Sequence, residues 1–148
     1  MDYEPLKQML TSAVPFNRHV GLEILEIGPG TASVRLPEGP QLLNHVGTQH
    51  AAALFAAAEA ASGAAMAGAF ADLMMQVTPL ARGAQVNYLK PARGPITANA
   101  RLTEDADAIR ARLAAGGKTD FAAEVQLVDG QGVTVAETTV SWHIRKNG

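Results

Sequence analysis

A chain of 148 residues with 47% hydrophobic side chains is long and apolar enough for one domain with a sizeable core. Its 12 basic and 14 acidic residues leave a formal charge of -2 and no Lys/Arg-rich run, which excludes the electrostatic footprint of a nucleic-acid binder. Without cysteine there is no disulfide, thiolate metal site or cysteine nucleophile, and the acidic start MDYEPLKQML lacks the pattern of a secretory signal, so the expected compartment is the cytoplasm.

In chain order, Leu6, Met9 and Leu10 predict a helix over Glu4–Ser12, closed before Pro15. Gly21–Ile27 and Thr31–Leu36 read as two strands joined by a Gly-Pro-Gly turn, with Ala32, Val34 and Leu36 alternating against Thr31, Ser33 and Arg35. Pro37–Val46 reads as a loop. A long helix is expected from Gln49 to about Phe70, with Thr48 as its N-cap. Met75–Lys90 contains a strand, clearest at Ala84–Leu89, with Pro79 marking a bulge or an edge position. After a turn at Lys90–Pro95, Ile96–Leu102 alternates as a strand. Glu104–Ala115 is expected as a short helix closed by Gly116–Gly117. Thr119–Val128 and Val133–Ile144 form a hairpin about the Asp-Gly-Gln-Gly turn, so the second half reads as a meander. No repeat or linker divides residues 1–148. The element order describes an α+β domain whose antiparallel sheet curls around one buried helix.

Apart from His50, Glu59 is the only ionisable side chain in the run VGTQHAAALFAAAEAASGAAMAGAFA, Val46–Ala71. The run is long enough to span a membrane, but a central glutamate and the dominance of Ala and Gly point to a core helix. Burying Glu59 raises its pKa toward the range of a general base. A core glutamate with satisfied partners and a reactive carboxylate both fit this placement.

The string Asn44-His45-Val46-Gly47-Thr48-Gln49-His50, followed nine residues later by Glu59, resembles the hotdog-fold acyl-CoA thioesterases, especially the phenylacetate-pathway type. Their pattern is N-x-x-G-x-x-H-G-G with an acid nine positions after the histidine. The likeness runs from Gly21 to about Arg145 and includes Tyr88–Ala92, where the family has a basic residue and proline. It implies Glu59 as base or nucleophile, the Ala51 amide polarising the thioester carbonyl, and His50 and Asn44 as orienting groups. Independently, a helix N-terminus suits an oxyanion. Substrate contacts are expected from Gly47, Thr48 and Phe55, with Lys90 and Arg93 as candidates for the phosphates of coenzyme A and Arg82 as a weaker one. Nine helical residues rise about 13.5 Å and end on the opposite face, so His50 and Glu59 of one chain do not readily meet. Two antiparallel helices about a two-fold axis would pair them across chains. The resemblance implies such a homodimer, or a dimer of dimers, with two shared sites.

Two positions depart from the pattern. Ala51-Ala52 replaces Gly-Gly, and Gly63 stands where several relatives carry Ser or Thr four residues after the acid; Ser62 is about 100° away around the helix. His50 alone would read as a capping or core histidine, and Asn44 as a loop brace. His45 reads as solvent-facing or as a brace, His19 and His143 lack a partner pattern, and no pair has metal-ligand spacing. Phe55 and Met74–Met75 could line an acyl pocket; Met66, Phe70 and Trp142 read as core. The leading function is acyl-CoA hydrolysis, with no metal or redox cofactor and coenzyme A only as part of the substrate. A non-catalytic acyl-CoA binder and an acyl-thioester hydratase or dehydratase are the alternatives; no Phe-Pro-Gly-like loop of the kind hydratases carry precedes Glu59.

Overall fold

Proline and glycine divide the N-terminal arm into two helices, not one, in the computed structural model, which describes Met1–Gly148. α1 (Glu4–Ala13) stops at Val14, whose extended backbone (ψ 99°) suits a residue that precedes proline. α2 (Pro15–Val20) starts on Pro15 and is closed by Gly21 at φ 87°, the left-handed geometry of a glycine cap. Capping at Gly21 delays the first strand, expected from Gly21, to Glu23.

β1 (Glu23–Gly28) and β2 (Thr31–Leu36) form the expected hairpin. The alternation in β2 is its burial pattern: Ala32, Val34 and Leu36 are buried while Thr31 and Arg35 face solvent. The following loop holds one 3-10 turn, Pro40–Leu42.

α3 (Ala51–Ala69) begins two residues later than predicted and is capped by His50, not Thr48. Gln49 is drawn into an extended bridge with Leu43, and the Thr48 hydroxyl already accepts a hydrogen bond from Asn44, so the helix starts only beyond them. Thirteen of its nineteen residues are buried, so a helix long and apolar enough to cross a membrane is here a core helix. Its small side chains admit backbone-to-backbone packing: a methyl group on Gly68 would collide with the Gly28 carbonyl oxygen of β1. Past Phe70, a 3-10 turn (Ala71–Gln76) leads away; Arg110 holds it by a bidentate pair with Asp72 (2.8 and 2.9 Å) and donates to the Ala69 carbonyl at 3.0 Å.

The remaining elements are β3 (Val77–Tyr88), β4 (Ile96–Leu102), α4 (Ala106–Gly116), β5 (Lys118–Val128) and β6 (Thr134–Lys146). All pairs are antiparallel, in the order β1-β2-β4-β5-β6-β3. Only β4 to β6 form the expected meander: β3 skips to the far edge, beside β6, and β4 pairs with β2. At that edge Pro79 sits in regular register opposite Ile144, where a missing N–H is tolerated, and the bulge falls at Ala81–Gly83 instead. Inward residues of the sheet, among them Val34, Ala98, Val125 and Val140, close on α3 to give one cluster of 33 buried apolar residues. This curled antiparallel sheet around a central helix is the hotdog fold.

Candidate active site

The loop before α3 is built by its own side chains. Asn44 accepts the N–H groups of Val46 and Thr48 on its Oδ1, each at 3.0 Å, and its amide donates to the Thr48 hydroxyl at 2.8 Å. Gly47 takes φ 80°, which lets so short a loop close. Gln49, expected only as the first residue of the long helix, is the buried anchor. Its N–H donates to Ala92, and its side-chain amide donates to the carbonyls of Pro37 (2.9 Å) and Gly94 (3.0 Å).

His50 follows as the N-cap: its Nδ1 accepts the Ala52 N–H at 2.9 Å, so in the neutral ring the proton sits on Nε2. Ala52's amide is therefore used, while the exposed Ala51 N–H, the first of the helix, has no acceptor within the chain. The Tyr88 hydroxyl donates to the Ala51 carbonyl at 3.1 Å and ties the end of β3 to this point. A surface depression of about 370 Å³ surrounds it, lined among others by Asn44, Thr48, Ala51, Tyr88 and Lys90. Arg93 is exposed and lies outside that lining, as does His45; Arg82 is engaged with Asp120 (3.4 Å), which also holds His143 at 2.7 Å. His143 thus has a partner that no sequence pattern announced.

Glu59 opens on a different space, a cavity of about 240 Å³ lined chiefly by apolar side chains, among them Leu10 and Val14 of the arm, Leu22, Ile24, Met66 and Trp142. Burial alone pushes its carboxyl above the usual 4.5, with no cation or donor pulling it back. The satisfied core glutamate, one of the two readings open from sequence, finds no satisfying partner in this chain.

Behind the carboxylate, Ser62 donates to the Glu59 carbonyl at 2.7 Å and accepts the indole N–H of Trp142 at 3.0 Å. Trp142 fills the space over Gly63, whose missing Cβ would lie 3.5 Å from the ring. Trp142 therefore does more than pack: it walls the cavity beside the carboxylate. The signal that could have found it is that a buried indole N–H needs an acceptor, and Ser62 is the hydroxyl on α3 that lies buried. Of the expected acyl-pocket residues, Met74 lines the cavity, Met75 is 83% exposed, and the half-buried Phe55 lines neither space. One chain thus places Asn44, Gly47, Thr48, His50 and Ala51 together at the start of α3 and Glu59 apart from them, beside another cavity.

Comparison with known proteins adds the context. The profile of DUF4442, described as a domain of unknown function, matches residues 4–144. A Pseudomonas aeruginosa protein of unknown function, described as a probable thioesterase, is 28% identical over 99% of this chain and 97% of its own, with a TM-score of 0.83. A thioesterase family protein from Silicibacter pomeroyi superposes with a TM-score of 0.79 at 19% identity over 99% of this chain and 100% of its own. The Escherichia coli PaaI protein, from the phenylacetic acid degradation operon, gives 0.68 at 22% identity over 86% of each chain. The last two likenesses carry the fold alone. No curated protein sequence matches the chain.

Proposed function

The chain belongs to the DUF4442 family, a domain family of unknown function, and from its hotdog fold and its helix carboxylate we infer that it hydrolyses acyl-CoA thioesters. The observation that carries this reading is Glu59, an unpaired carboxylate on the central helix with its pKa raised by burial, on a fold shared with thioesterase-family proteins. The Ala51 N–H, at the positive end of a nineteen-residue helix, donates to the thioester carbonyl oxygen and to the oxyanion that develops on it. Glu59 removes the proton of an attacking water, or attacks the acyl carbon itself to form an anhydride that water hydrolyses after the thiol has left. The C–S bond then breaks, and the coenzyme A thiolate leaves and is protonated. His50, with Nε2 turned outward from the cap, orients the water or the leaving group; Asn44, Gly47 and Thr48 hold the loop that presents Ala51. Lys90 lines the same depression as Ala51, which supports its assignment to a phosphate of coenzyme A. Coenzyme A enters only as part of the substrate, and the site of action is the cytoplasm.

The separation of the two halves supports a homodimer, or a dimer of dimers, in which antiparallel α3 helices bring the Ala51 end of one copy to Glu59 of the other. The edge strand β3 offers a free ladder with Leu80 and Tyr88 half exposed. The test is free-thiol release from short, medium, long and aryl acyl-CoAs by the parent and by Glu59→Ala. Release that requires Glu59 is the expected result. Two observations favour the non-catalytic reading: the cap bond of His50 occupies the Ala52 amide, and Trp142 covers Gly63, which offers no hydroxyl. Saturable acyl-CoA binding without release by the folded parent would establish that binder instead.

A further inference from the structure

We propose that the cavity beside Glu59 holds the acyl group of a straight-chain, medium-length acyl thioester, and that the α1–α2 arm is the wall that sets its length. The proposal rests on the thioesterase reading and gives it a substrate class.

The lining selects by polarity first. No lysine, arginine or histidine faces the cavity, and Glu59 is its one charged residue. An acyl group ending in a carboxylate or phosphate would be desolvated there without a counter-charge and would face a carboxylate. The Thr11 hydroxyl on the rim is already spent on the Lys7 carbonyl at 2.8 Å, which leaves the Asn17 amide as the other polar group of the wall.

Size and shape narrow the class further. A dry cavity of about 150 Å³ holds benzene, so 240 Å³ takes an acyl group of about six to ten carbons. Met66 and Met74 contribute flexible thioethers, which mould to a bending chain better than to a rigid ring. Trp142 is the one aromatic wall, held by its bond to Ser62, and the rest of the lining offers an aryl group no second ring to stack on.

The arm is the part of this wall free to vary. None of α1's ten residues is buried; Leu10 packs against the core cluster from a partly buried position, and Val14, at the junction with α2, is 40% exposed. A longer acyl chain would press on this arm, because the other walls belong to the sheet, to α3 and to the turn that carries Met74. The same exposure makes the proposal testable without touching the core: Thr11→Phe and Val14→Phe add bulk at exposed positions on the rim.

Trp142 is the only tryptophan of the chain, so filling the cavity is read by its emission whether or not turnover occurs. S-octyl-coenzyme A, which cannot be hydrolysed, is expected to shift Trp142 emission saturably, while S-ethyl-coenzyme A leaves it unmoved. Thiol release is expected to peak at octanoyl, and each Phe variant to lower the octanoyl-to-butyryl ratio of kcat/KM about tenfold, the effect of denying two buried methylenes. A silent Trp142, a flat chain-length profile, an aryl optimum, or an octanoyl-to-butyryl ratio unmoved by both variants would overturn the proposal. A Trp142 response to the octyl probe with no thiol release from any acyl-CoA upholds the cavity assignment and removes hydrolysis instead.

Discussion

At the start of α3 the polar atoms are largely committed: Asn44 makes three side-chain hydrogen bonds, His50 takes one amide, and what is left over is the Ala51 N–H. Nine residues on, the Glu59 carboxyl has no partner, and most of its cavity wall is hydrocarbon. The first region is preorganised, with a donor held at a set place by neighbours that cannot easily turn. The second is poised by its surroundings, because an apolar wall and the lack of a counter-charge disfavour the ionised acid. The proposed oxyanion donor, the Ala51 N–H, and the proposed base, Glu59, are eight residues apart, and a single copy keeps them about 12 Å apart along one helix.

The largest expected effect breaks each region separately and then rejoins them. Ala51→Pro removes one N–H at the first helical position, where proline is well tolerated, and Glu59→Gln removes the base. Each variant alone is expected to lose about 10²–10³-fold in thiol release, the usual cost of losing an oxyanion donor or a base. Unfolded and refolded together, the two should recover roughly a quarter of the parent rate, since about half of all dimers would be mixed and each of these would carry one intact shared site of two. No recovery from a mixture shown to exchange subunits would place both groups in one chain.

Next in size is Ser62→Ala, which leaves the Trp142 N–H buried without an acceptor. The expected loss is about 1–3 kcal/mol, read as a Tm lower by several degrees. His50→Ala removes the cap acceptor at a cost of about 1 kcal/mol, and His50→Ser should restore the stability. If His50 also orients the water or leaving group, Ser will not restore the turnover, and comparing the two variants in the same assay separates cap from chemistry.

The smallest effect is the pH dependence of stability. Burial raises the Glu59 pKa, so its proton is held more tightly in the folded chain. That contribution is fully present below the ordinary value of 4.5 and is lost as pH rises through the elevated one. Glu59→Gln should therefore melt slightly above the parent at pH 7, with the difference closing as pH falls toward 4. The same elevation shifts the acid limb of kcat/KM above the ordinary carboxylate range. A limb centred at or below 4.5 would detach Glu59 from the rate.

What the sequence made legible was local. Alternation located β2 and β4, the Asp-Gly-Gln-Gly turn marked the hairpin of β5 and β6, and an isolated charge in an alanine run marked Glu59. What it hid depended on competition or on distance. Thr48 is a better capping residue by type than His50, but Asn44 claims its hydroxyl, and that claim is visible only once the loop is folded. Six residues are too few to display a helical period, so α2 showed only its punctuation, Pro15 and Gly21. The place of β3 at the sheet edge is a matter of pairing, which no window along the chain contains. The bond between Ser62 and Trp142 spans 80 positions, and the cavity it borders draws walls from the arm, the first hairpin, α3 and the last strand.

The touching backbones of Gly68 and Gly28 have a mechanical consequence. Where two main chains meet with no side chain between them, there is no soft layer to compress, so α3 and β1 behave as one stiff body at that point. Among the cavity's walls, α1 buries no residue, and a wall with so little buried surface opens at low free energy. The hotdog scaffold is thus unyielding where α3 meets β1, and any give around the carboxylate falls to the N-terminal arm.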